Sequence, residues 1–88
     1  MPKNQDNNAQ FKNEKKALQD FVLDVEPVSN QVVVKTTTAA AQVIAESIDN
    51  LFIDNIVASI AGDNVVLIIS NNETKAKEVA KTIEDNIK

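Results

Sequence analysis

The sequence predicts an α+β fold: a two-layer ββαββα sandwich with a four-stranded, largely antiparallel sheet. Both helices lie on one face of that sheet, and a short extra helix precedes it. Three observations predict this. Two pairs of short, β-branched-rich runs are each joined by turn residues, at Ser29-Asn30 and at Gly62-Asp63-Asn64. Each pair is followed by a stretch with helical apolar spacing, and two hairpins with two helices pack most simply as two layers. Finally, every residue of Val65–Ile69 is apolar, the pattern of a strand covered on both faces.

Composition narrows the possibilities. An 88-residue chain with 43% hydrophobic residues has room for one domain. A chain this small buries only roughly 60% of its unfolded surface and is marginal alone. A second apolar sheet face is therefore expected to meet another copy of the chain. Cysteine is absent, which excludes disulfides and thiolate metal sites. Histidine, tryptophan and tyrosine are absent too, removing the commonest general base and metal ligand. An enzyme would have to work with carboxylates and lysines alone, and none is expected. The net charge of −4 argues against this segment gripping nucleic-acid phosphates by itself. No apolar run approaches the ~20 residues of a membrane span, and Met1–Asn13 lacks the apolar core of a signal peptide.

In chain order, residues 1–13 are rich in Asn, Gln and Lys, with Phe11 the one large apolar residue after Met1. They read as a flexible tail or linker stub, and residues 14–88 as the domain. Asn13 can cap a short helix over 14–20, whose apolar face holds Ala17, Leu18 and Phe21. Residues 21–28 alternate, with Phe21, Leu23 and Val25 inward and Asp24 and Glu26 outward; Pro27 marks an edge. Gln31–Thr36 is the partner strand. Thr37 or Thr38 should cap the next helix, whose buried stripe is Ala41, Ile44, Ile48 and Leu51. Gln42, Glu46 and Asp49 share another face. The central hairpin pairs residues 56–61 with 65–69 around the only glycine, Gly62, expected where the backbone needs positive φ or close approach. Ser70 and Glu73 then fit a capping box before a helix with Ala76, Val79, Ala80, Ile83 and Ile87 inward.

Three features stand together: Val33-Val34-Lys35-Thr36 followed by Ala40-Ala41-Gln42; Asp49, seven residues after Gln42; and Ser59-Ile60-Ala61-Gly62-Asp63-Asn64 running into an apolar strand. From about Lys15 to the end, the chain resembles the C-terminal domain of the bacterial arginine repressor family. The resemblance implies the ββαββα fold, and trimers that stack into hexamers. It implies L-arginine as corepressor where trimers meet, with no other cofactor. It also implies DNA binding through a separate N-terminal winged-helix domain that this chain lacks, and a cytoplasmic location. Carried over by position, the implied ligand-binding residues are Gln42, Asp49, Ser59, Ala61, Asp63 and Asn64. Ser59 stands where the family usually has Thr, Asn64 replaces the second of two acids, and Thr38-Ala39 replaces Pro-Gly.

The chemistry is sound without the resemblance. A carboxylate on a hairpin turn can take bidentate hydrogen bonds from a guanidinium. Asp49 can meet a second cation, and Gln42 both donates and accepts. Each residue also has a plainer reading: Asp63 and Asn64 as turn residues, Gln42, Glu46 and Asp49 as a solvated helix face. Two functions follow. One is arginine sensing with oligomerisation in a transcription regulator. The other is a purely structural assembly domain that has lost sensing, for which Asn64 speaks.

Overall fold

The structure, a computed structural model, describes the backbone of residues 4–88 and the side chains of residues 12–88. The elements are α1 (Asn4–Phe21), β1 (Val22–Val28), β2 (Gln31–Thr36), α2 (Ala41–Asn50), β3 (Ala58–Ala61), β4 (Val65–Ile69) and α3 (Glu73–Ile87). The strands form one antiparallel sheet in the order β1-β2-β4-β3. The ββαββα order is the expected one.

The core lies between one sheet face and the helices. Val32 and Val34 of β2 and Val66 and Ile68 of β4 are fully buried, against Ala41, Ile44 and Ile48 of α2 and Ala76, Val79 and Ile83 of α3. Leu18 closes this core from α1. Each such valine, leucine or isoleucine contributes about 1.5–3 kcal/mol by leaving water. The alternate residues face the other way. Val33 is register partner of Leu67, and Leu67 of Ile60. Val33 and Leu67 are half-buried and Ile60 is 61% exposed. Within one chain, β4 is thus covered by helices on one face only.

Several local expectations are corrected. The first helix begins at Asn4, so Asn13 is an interior residue and cannot cap it. No glycine or proline interrupts residues 3–26, so nothing stops the helix short. Residues 1–3 of the expected tail, and the side chain of Phe11, lie outside the described residues. In β1 the register shifts between Val22 and Asp24, which places a β-bulge at Leu23. The bulge reverses the phase: Leu23 is 68% exposed, and Val22 with Val25 packs on the core instead. Phe21 is partly exposed at the end of α1. Ile56 and Val57 precede β3 rather than belonging to it.

The caps and the glycine differ too. Neither Thr37 nor Thr38 caps α2; its N-cap is Ala40, with no side-chain hydrogen bond. Instead the β3–β4 turn reaches over. The backbone oxygen of Asp63 accepts from the Ala41 N–H at 3.2 Å, and its Oδ2 from the Ala39 N–H at 3.4 Å. Ser70 stays with the sheet, donating its N–H to the Asn30 oxygen at 2.8 Å, and Asn72 caps α3 by accepting from the Lys75 N–H at 2.9 Å. Gly62 does not have positive φ. A Cβ there would meet Val65 Cγ1 at 3.4 Å, an ordinary contact. Left-handed backbone falls on Ser29, Ala39, Phe52 and Asn55.

Candidate functional site

Gln42, Glu46 and Asp49 are spaced i, i+4 and i+7 on α2, which aligns them on one helix face. Ser59 and Ala61 are two residues apart on the edge strand β3 and so share a face. Their register partners are Ile68 and Val66, which point into the core, so this face is the one turned toward the helices. The other strands carry valine and isoleucine on that face; β3 carries a serine and an alanine. The missing bulk leaves a cleft between α2 and β3 of about 390 Å³, lined by Gln42, Val43, Ala45, Glu46, Asp49, Ser59 and Ala61.

The cleft thus brings together Gln42, Asp49, Ser59 and Ala61. Asp63 and Asn64 lie in the turn just beyond Ala61 and do not line it. The Asp63 carboxylate rests on the Ala39 N–H, and the Asn64 backbone oxygen accepts from the Thr36 N–H at 2.9 Å. Val43, Ala45 and Glu46 are lining residues that were not proposed from the sequence. The i+4 position of Glu46 between Gln42 and Asp49 was the available signal.

The side chains of Gln42, Glu46, Asp49 and Ser59 have no hydrogen-bond or ion-pair partner among the described residues. No lysine or arginine lines the cleft. Two unpaired carboxylates, an amide and a hydroxyl make a surface suited to a cationic ligand that also carries hydrogen-bonding groups. Asp49 lies in the last turn of α2, which has no basic residue there, so it sits at the negative helix end without compensation.

A larger cleft, about 530 Å³, lies elsewhere, between α1, α3 and the loop after α2, and is lined by residues such as Lys15, Phe52, Asn55, Glu78 and Thr82. None of the sequence-proposed residues lies there. Its polar groups are largely engaged internally: the Asn55 amide donates to Glu78 Oε1 at 3.2 Å and Thr82 Oγ1 to the Glu78 backbone oxygen at 2.9 Å. Lys15 and Asp54, which also line it, have no partner among the described residues, so the smaller cleft is singled out by holding four of the sequence-proposed residues and no base. Among the described residues no group of His, Cys, Asp and Glu is placed to hold a metal ion, and no helix is long and apolar enough to cross a membrane.

Comparison with known proteins agrees with the earlier resemblance. The family model described as "Arginine repressor, C-terminal domain" matches residues 18–85. The arginine repressor of Clostridium novyi is 46% identical over 63 residues, 72% of this chain and 42% of the relative. That of Clostridium acetobutylicum is 44% identical over 66 residues, 75% of this chain and 44% of the relative. That of Halothermothrix orenii is 32% identical over 71 residues, 81% and 47% respectively. The match thus spans less than half the length of each. These relatives are repressors rather than enzymes. With both hairpins, α2 and most of α3 inside the matched span, the chain belongs to the arginine repressor C-terminal domain family.

Proposed function

We propose that the chain is the L-arginine-sensing and oligomerising part of an arginine-responsive transcription regulator acting in the cytoplasm. Copies associate through the open sheet face into trimers that stack as hexamers. L-Arginine, as corepressor, occupies the cleft between α2 and β3, and Asp63 and Asn64 complete the site where trimers meet. DNA is held by a separate N-terminal winged-helix domain. The observation that carries this reading is the cleft itself. It collects Gln42, Asp49, Ser59 and Ala61, leaves their polar groups unpaired, and has no base of its own. The name of the relatives supports arginine as the ligand class.

A second reading, an assembly domain without arginine sensing, is favoured by Asn64, which lacks the charge of the acid the family usually has there. Light scattering with and without L-arginine separates the two. The sensing reading expects particles of several 9.6 kDa chains whose size or stability responds to arginine; the assembly reading expects particles indifferent to it. Asn64→Asp adds a test. Restoring the charge strengthens a hydrogen bond by on the order of 1 kcal/mol, so arginine binding should tighten several-fold and assembly become more arginine-dependent. Unchanged titration and sizing profiles would make Asn64 a turn residue only.

A further inference from the structure

We propose that Phe52, with the larger cleft it lines, anchors a two-fold contact between copies of this chain. Leu51 is the C-cap of α2, so Phe52 is the first residue past the helix, and its N–H donates to the Asp49 backbone oxygen at 3.2 Å. The backbone there is left-handed, with φ 53. Helices commonly end that way, but on glycine or asparagine, because a Cβ strains the conformation. Phe52 is also 79% exposed, more than any other large hydrophobic residue among the described residues. Two local costs thus fall on one residue, and nothing among the described residues covers its ring. A surface that buries the ring offsets both.

The cleft beside Phe52 fits a second copy of the chain. It lies between α1, α3 and the loop after α2, has about 530 Å³ of room for a phenyl ring, and takes apolar wall from Leu51 and Ile53. The one base lining it is Lys15, and Asp54 is an acid lining it; both are exposed. Neither has a partner among the described residues, and they do not pair with each other. Glu78, the other acid, already accepts from the Asn55 amide. Opposite free charges on one patch are self-complementary under two-fold rotation: Lys15 meets the partner's Asp54 while Asp54 meets the partner's Lys15. A simple cation or anion would leave one of these charges unmatched. A second copy matches both and brings the aromatic ring that the cleft can hold, the residue class that carries most interface energy. The contact sits on the helix side of the sheet, so it adds to association through the open sheet face and lies outside the α2–β3 cleft.

Sedimentation equilibrium of the ligand-free full chain, from micromolar to millimolar, tests this in the wild type, Phe52→Gly, Lys15→Glu, Asp54→Lys and the double charge swap. Loss of a two-fold contact halves a particle. The limiting mass of Phe52→Gly should therefore be at most half that of the wild type, its pairing weakened at least about ten-fold. Its urea midpoint in dilute solution should nevertheless hold or rise, because glycine takes left-handed backbone without strain, and this separates a lost contact from a lost fold. Each single charge reversal should weaken pairing about three-fold or more, and the swap should return it to within about two-fold of the wild type. An unchanged mass in Phe52→Gly overturns the proposal and leaves association through the sheet face standing. A double swap no better than the single variants overturns the two-fold geometry. A wild type that stays monomeric at millimolar concentration overturns both this contact and the oligomeric reading above.

Discussion

Ala39 shows how a single residue departs from what its type suggests. It is exposed, it has φ 66, and left-handed backbone costs an L-residue with a Cβ about 1–2 kcal/mol. Ala39→Gly should therefore raise stability by about 1 kcal/mol in urea denaturation; a loss would mean that the Cβ packs. Gly62 is the mirror case. With neither positive φ nor a close neighbour, Gly62→Ala should hold or raise stability, by up to about 1 kcal/mol. The caps give a test with opposite signs. Asn72→Ala should cost about 1 kcal/mol, whereas Ser70→Ala should be neutral or stabilising, because the buried Ser70 hydroxyl has no partner among the described residues. If Ser70→Ala were the costly one, the capping-box reading would return. None of these positions was legible in sequence. Backbone φ and cap identity are decided by distant partners, such as Asp63 reaching over to Ala39 and Ala41.

At the scale of elements, apolar period is a local property, and it survives folding. The buried stripes of α2 and α3 and the alternation in β2 and β4 are visible in the chain itself. The bulge at Leu23 is not, because it depends on pairing with β2. The cleft was half legible. The resemblance brought out Gln42, Asp49, Ser59 and Ala61. That Ser59 and Ala61 face α2 follows only from strand register, whereas the place of Glu46 beside Gln42 and Asp49 was already legible in the helical spacing. The open sheet face makes its own prediction. Ile60 is 61% exposed on the face away from the helices, so Ile60→Lys should leave the helix-covered core intact. If that face is where copies meet, light scattering should shift toward the 9.6 kDa monomer while circular dichroism stays unchanged. An unaltered particle size would place the interface elsewhere.

For the molecule as a whole, a folded scaffold carries a polar cleft whose charge is not balanced within the chain. Asp49 at the negative end of α2 costs about 0.3–1 kcal/mol in the unliganded state. Asp49→Asn should thus raise ligand-free stability while weakening arginine binding, and denaturation with and without arginine reads both effects. The most direct measurement follows backbone amide resonances during titration with L-arginine. Saturable shifts are expected centred on Gln42, Glu46, Asp49, Ser59 and Ala61, with Phe52, Asn55 and Glu78 in the larger cleft essentially still. Shifts centred on that larger cleft, or none at millimolar arginine, would contradict the arginine reading.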